Sequence, residues 1–244
     1  MKTSDMLLTL RLLDPLENLE AVTREAARQG WSHQAYLDRL LEGECRRREI
    51  AASSRRTKKA HFPIPKGLES FEWSWPKKLN RAQVQNLFRL AFLEDHTNVI
   101  FVGSTGLGKT HLATALGLEA CAKGYTTFFT TAVDIVNTLT AAQIEHRVRQ
   151  EIKRYTRPDL LIVDELGYLP IDKLGADLLF QVFSQRYERG STVITTNRPY
   201  KQWATIFNND ATLASAVLDR LLHHSETVLV VGTSYRMKDR IEEP

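Results

Sequence analysis

Residues Val102–Ala113 read VGSTGLGKTHLA. Within that stretch Gly103, Ser104, Thr105, Gly106, Leu107, Gly108, Lys109 and Thr110 fit G-x-x-x-x-G-K-[ST]. Each residue type has a physical task. Glycines let successive backbone N–H groups turn inward around phosphate oxygens, and a helix that starts at Lys109 adds its positive dipole end. The lysine reaches the β- and γ-phosphates, and the threonine hydroxyl binds Mg²⁺. His111 follows directly and completes the candidate nucleotide-binding set. The context supports the motif: the apolar run NVIFV precedes it, and the helix-length segment THLATALGLEACAKG, closed by Gly124, follows. Such loops serve kinases, GTPases and ATPases alike, so the remaining sequence must choose among them.

Four more short runs rich in β-branched and aromatic residues follow, separated by helix-length segments. They are TTFFTT at 126–131, DLLIVDE at 159–165, STVITTN at 191–197 and TVLVVG at 227–232. With the run before the glycine loop they predict an α/β domain, a five-stranded parallel sheet with helices on both faces. DLLIVDE delivers Asp164 at the end of an apolar strand, where open α/β sheets bind ligands. Asp164 is the second candidate Mg²⁺ ligand beside Thr110, and Glu165 is placed to polarise an attacking water. Asn197 ends the next strand and is placed to orient that water. One strand intervenes between the loop and Asp164, and a glutamate follows the aspartate; together these mark the ATPase half of the phosphate-loop proteins. No Asn-Lys-x-Asp element for guanine occurs, and nothing resembles the arginine-bearing lid of a small-molecule kinase. Arg220 in AVLDRLLHHS and Arg236 in SYRMK complete the catalytic candidates. An arginine that meets the γ-phosphate is worth about 10³–10⁵ in rate. If Arg220 faces away from its own site, it can serve only a neighbour's.

The first 50 residues are helical in pattern. Leu7, Leu8, Leu10, Leu12 and Leu13 form one segment. A second starts near Pro15 and ends at Gly30; a third follows Ser32 as N-cap, with Tyr36, Leu37, Leu40 and Leu41 on one face. Basic residues then crowd the stretch from Arg46 to Lys59, including Arg55, Arg56, Lys58 and Lys59. The prolines of HFPIPKG cannot continue a helix, so this region reads as a basic linker and the domains as 1–60 and 61–244. A second basic run holds Arg147, Arg149, Lys153, Arg154 and Arg157 against Glu145 and Glu151. Clustered cations release counterions when they neutralise phosphates; a solvated helix face is the plainer alternative. No aromatics interleave, which favours duplex-backbone contact over stacking on single strands. Phe71, Trp73 and Trp75 in FEWSW either wall an adenine or pack on the domain. The formal net charge of +4 in 244 residues is mild. Cys45 and Cys121 build no disulfide framework or zinc spacing, which predicts a reducing cytosolic setting. The interrupted apolar start is no signal peptide, and no window approaches 18 apolar residues.

The stretches GSTGLGKTHLA, DLLIVDELGYLPID, LLFQVFSQRYERGSTVITTNRP and AVLDRLLHHSETV, with GTSYRMK after them, closely resemble the IstB-type ATPases. These are helper proteins encoded by bacterial insertion sequences, related to the DnaC-type helicase loaders within the AAA+ ATPases. The resemblance spans nearly the whole chain, including FPIPKGLESFEWSW. It implies a P-loop AAA+ core with strand order 5-1-4-3-2 behind a small helical N-terminal domain. It assigns Gly103, Gly106, Gly108, Lys109 and Thr110 to the first nucleotide motif, and Asp164 and Glu165 to the second. Asn197 matches the first sensor, Arg220 the arginine acting across a subunit interface, and Arg236 the second sensor. About a dozen residues follow the fifth strand, so no C-terminal helical lid is expected and Arg236 would act from the strand end. The resemblance further implies ATP and Mg²⁺ as cofactors, a homo-oligomer with composite sites on duplex DNA, and a transposase partner in the bacterial cytoplasm. A DnaC-type replicative helicase loader is the nearest alternative.

Overall fold

A computed structural model describes residues 2–235, so Arg236 lies outside the described residues. The chain divides into two compact units, residues 1–55 and 56–244.

The first unit is helical: α1 (Thr3–Thr9), α2 (Leu13–Gln29) and α3 (His33–Lys59), the last running past the division. Gly30 ends α2 in the left-handed conformation at φ +64°, and its N–H returns to the Ala26 carbonyl. The Ser32 hydroxyl accepts the Ala35 N–H at 3.2 Å, the N-cap its position predicts. The basic stretch expected as a linker is helix as far as Lys59. Arginine, lysine and alanine are good helix formers, and no glycine or proline falls between Gly43 and Pro63. Glu44 anchors this stretch. Only 2% exposed, it accepts hydrogen bonds from Arg47 at 2.7 and 3.1 Å, Arg48 at 2.7 Å and the Asp14 N–H at 3.2 Å. The Arg47 hydrogen bond, reinforced by Arg48 and the Asp14 amide, pulls its carboxyl down to about 2 against the opposing effect of burial.

The second unit opens with α4 (Arg81–Leu87) and α5 (Ala91–Glu94). Strand and helix then alternate: β1 (Asn98–Gly103), α6 (Lys109–Ala122), β2 (Thr127–Thr131), α7 (Ala132–Ile144), the single turns α8 (Val148–Glu151) and α9 (Lys153–Thr156), and β3 (Leu160–Leu166). There follow α10 (Lys173–Arg186), β4 (Ser191–Thr196), α11 (Trp203–Ile206), α12 (Ala211–His223) and β5 (Ser225–Val230). All pairings are parallel and the order is β2-β3-β4-β1-β5, which is 5-1-4-3-2 read from the other edge.

Side chains of a strand alternate between faces, and this sheet has two cores because of it. Leu161 and Val163 of β3 enter a layer with α7, α10 and α12. Leu160 and Ile162 enter the opposite layer with α6 and the Val84–Leu93 region. Both layers exclude solvent from β1, β3 and β4, which fixes strand register and so the positions of the loops at their C-terminal ends. No helix among the described residues is long and apolar enough to cross a membrane. Cys45 and Cys121 are both free.

Candidate functional site

A cavity of about 690 Å³ opens at the C-terminal ends of β1, β3 and β4. The glycine loop forms one side of it. Gly106 and Gly108 hold φ +79° and +85°, and a Cβ at either would collide, 2.1 Å from the Ser234 hydroxyl and 2.7 Å from the Phe71 ring. Such a backbone presents its N–H groups inward only because no side chains intrude. Leu107 is buried in the core and pins the loop from behind. The Lys109 ammonium donates to the Ser104 carbonyl at 2.7 Å across the loop. Thr105 to His111 all line the cavity. His111 Nε2 lies 2.9 Å from the Gly67 carbonyl and 3.2 Å from the Ser70 hydroxyl, tying the start of α6 to the preceding segment.

β3 supplies the acids. Asp164 is 5% exposed, and its two carboxylate oxygens accept from the Thr110 hydroxyl at 3.0 and 3.1 Å. Adjacent ligands of an octahedral Mg²⁺ with bonds of 2.0–2.1 Å are about 3 Å apart. The donor set, hard oxygens only, and its spacing therefore fit that ion. Glu165 is exposed and lines the same cavity. Its φ is +60°, and the β3–β4 register shifts between Val163 and Leu166. Asn197 sits just past β4 and faces the cavity with Thr195 and Thr196.

The three candidate aromatics separate. Phe71, 7% exposed, packs edge-on against Trp73 and His111 and backs the glycine loop. Trp73 packs on the core with the Arg81 guanidinium 4.9 Å over its ring. Trp75 lines the cavity, donates to the Thr233 carbonyl at 2.9 Å and meets Tyr235 edge-to-face. Tyr235 donates its N–H to the Gly106 carbonyl at 2.9 Å. Thr195 and Tyr235 are site residues that motif reading passes over. Tyr235 stands next to the SYRMK arginine, and Thr195 stands two residues before Asn197; those are the only signals.

Arg220 lies apart from this cavity. Its guanidinium donates to the Ala216 carbonyl at 2.9 Å and covers the Phe180 ring at 4.9 Å. The basic candidates also divide. Arg56 donates to the Cys121 carbonyl at 2.7 Å near the end of α6, whereas Arg55, Lys58 and Lys59 are exposed. Arg147 pairs with Glu145, and Arg154 lies 3.7 Å from Glu151 with its guanidinium over Phe128. Arg149, Lys153 and Arg157 are exposed and make no ion pair among the described residues.

The fold has counterparts among solved structures. The DnaC helicase loader superposes with a TM-score of 0.56 at 23% identity, over 67% of this chain and 96% of that one. DnaI superposes with a TM-score of 0.59 at 15% identity, over 68% and 91%. At those identities the likeness shows the AAA+ fold. Sequence similarity goes further. The insertion sequence IS232 ATP-binding protein of Bacillus thuringiensis subsp. berliner is 43% identical over 182 residues, 75% of this chain and 72% of that protein. The insertion sequence IS5376 ATP-binding protein of Geobacillus stearothermophilus is 36% identical over 224 residues, 92% and 89%. The profile of the family described as IstB-like ATP binding protein matches residues 6–243, and the chain belongs to that family.

Proposed function

We propose that this chain is a DNA-binding AAA+ ATPase of an insertion sequence, which assembles on duplex DNA with ATP bound and directs a transposase to its target. The observation that carries the ATPase half is the meeting of Thr110, Asp164 and Glu165 with the glycine loop in one cavity. In this proposal the loop N–H groups and Lys109 hold the β- and γ-phosphates. Thr110 and Asp164 hold Mg²⁺, which supplies charge neutralisation at the phosphate oxygens. Glu165 takes up hydrogen-bonding to the attacking water and polarises it, and Asn197 fixes its orientation.

Arg220 supports the oligomer. Lying outside its own cavity, it is available to the cavity of a neighbouring copy, so each site would be completed by two subunits. Arg236 is proposed to reach the phosphates from the end of β5. Duplex DNA is proposed to lie against the exposed cations Lys58, Lys59, Arg149, Lys153 and Arg157 of the second unit. Backbone contact of this kind has little sequence preference and a steep salt dependence, about 0.9 in log–log slope per phosphate neutralised.

The helicase-loader alternative shares the ATPase core. The IstB-like family profile matches residues 6–243, the N-terminal helices included, whereas the loader likeness covers two-thirds of the chain; the first reading is therefore preferred. The test is duplex binding by the full chain with ATP, across salt. Binding that tightens with ATP and weakens steeply with salt is expected. Binding that ignores both would overturn the DNA role.

A further inference from the structure

Asp164 and Glu165 are neighbours on a strand, and neighbours on a strand face opposite ways. Here both line one cavity. The exception has a visible cause. Val163 pairs with Ile194 and Leu166 with Thr196. Between those pairs two residues of β3 stand opposite one residue of β4, which is a β-bulge. Glu165 occupies it with φ +60°, a conformation that disfavours a residue with a side chain by about 1–2 kcal/mol. Something must hold it there.

The residue opposite the bulge is Thr195, 1% exposed. Its hydroxyl accepts the Glu165 N–H at 3.0 Å and donates to Asp164 Oδ1 at 2.5 Å. One oxygen therefore satisfies the backbone donor that the bulge removes from the ladder and fixes the carboxylate of the preceding residue. The directions are forced. A carboxylate only accepts and an amide N–H only donates, so the Thr195 proton must point to Asp164. Thr196 repeats the arrangement one step on, donating to the Leu166 carbonyl at 2.7 Å and accepting the Arg198 N–H at 3.1 Å. The two hydroxyls bracket the turn that carries Glu165.

We infer that Thr195 is the positioning residue of the hydrolytic site: its hydroxyl sets the bulge that turns Glu165 into the cavity and holds Asp164 in the direction of Thr110. The inference rests on the ATPase reading above for its kinetic consequence, and on the bulge alone for its structural one.

Thr195→Val keeps the shape and removes the hydroxyl; Thr195→Ser keeps the hydroxyl. Three proteins, wild type and these two, are compared by ATP turnover, by affinity for a fluorescent ATP analogue, and by hydrogen exchange of the Glu165 amide. Expected for Thr195→Val are a kcat lower by about 10²-fold, the scale of a misplaced catalytic group, near-unchanged nucleotide affinity and an unprotected Glu165 amide. Thr195→Ser should restore both protection and most of the turnover. Unchanged protection and turnover in Thr195→Val, or equal loss in both variants, would overturn the assignment. If the wild type bound nucleotide but never turned it over, the ATPase reading would fall; the Glu165 amide in the same three proteins would still decide whether Thr195 holds the bulge.

Discussion

Arg186 offers the sharpest stability prediction, because it is buried with no ion pair among the described residues. It is 2% exposed and donates five hydrogen bonds. Four go to the carbonyls of Tyr155 (2.9 Å), Pro158 (2.9 Å), Asp159 (3.2 Å) and Ser191 (2.5 Å), and one to the Thr192 hydroxyl (3.1 Å). Burial pushes its pKa down to about 10, with the Asp159 charge opposing. That shift corresponds to roughly 3 kcal/mol of charging penalty. Five bonds from a charged donor contribute about 1.5–3 kcal/mol each, which exceeds the penalty. Arg186→Met removes both and leaves four carbonyls beside an apolar chain. The expected loss is about 3–5 kcal/mol, since each buried carbonyl that loses its donor costs about 1–3 kcal/mol while the charging penalty is relieved. For a unit of this size that is a Tm lower by roughly 6–20 °C. Arg186→Lys should lose nearly as much, since one ammonium cannot reach acceptors spread over a guanidinium fork. The depressed pKa means the folded state loses its proton first, so stability would rise only above about pH 10. The difference from wild type should be flat between pH 6 and 9. Urea unfolding of the full chain measures it. A loss under 1 kcal/mol, with the sheet intact, would refute the reasoning. The site is involved because Asp159 and Ser191 flank the starts of β3 and β4, the strands that deliver Asp164, Glu165 and Thr195.

Three further outcomes follow from other parts of the molecule. Lys109→Ala should abolish nucleotide binding, measured by fluorescent-analogue titration, while leaving the fold unchanged; retained affinity would remove the cavity's assigned ligand. Arg220→Ala should bind nucleotide without hydrolysing it, and mixing it with Lys109→Ala should restore some turnover through composite sites; no restoration at any ratio would argue against action across an interface. In the N-terminal unit, the lowered Glu44 pKa means its carboxylate stabilises above about 4.5, and that stabilisation is lost as pH falls toward about 2. Protection of the Asp14 amide, which donates to Glu44, should fall across that window; constant protection would contradict the assigned bond.

Strands and the glycine loop were legible because their signals are local. NVIFVG at 98–103 and the four later apolar runs each became a strand within two residues of the expected ends. The strand order followed from the family resemblance rather than from the runs. The basic stretch before Lys59 misled, because a helix with few apolar residues shows no 3.6-residue period. Glu44, which anchors it, looks in sequence like any acid in a charged segment. Arg186 and Thr195 were invisible for a different reason. Their roles depend on which strands lie side by side, and β3 and β4 are joined by α10 rather than by a hairpin. Arg56 carries the same lesson: a cation in a basic run, it ties the chain to the Cys121 carbonyl.

Steady-state ATP hydrolysis by the full chain, with and without duplex DNA, bears most directly on the composite site. Wild type should hydrolyse ATP faster with duplex present, and Glu165→Gln should bind ATP, assemble on the duplex and fail to turn over. Hydrolysis indifferent to duplex, or Glu165→Gln turning over like wild type, would contradict a DNA-assembled ATPase built on Asp164 and Glu165.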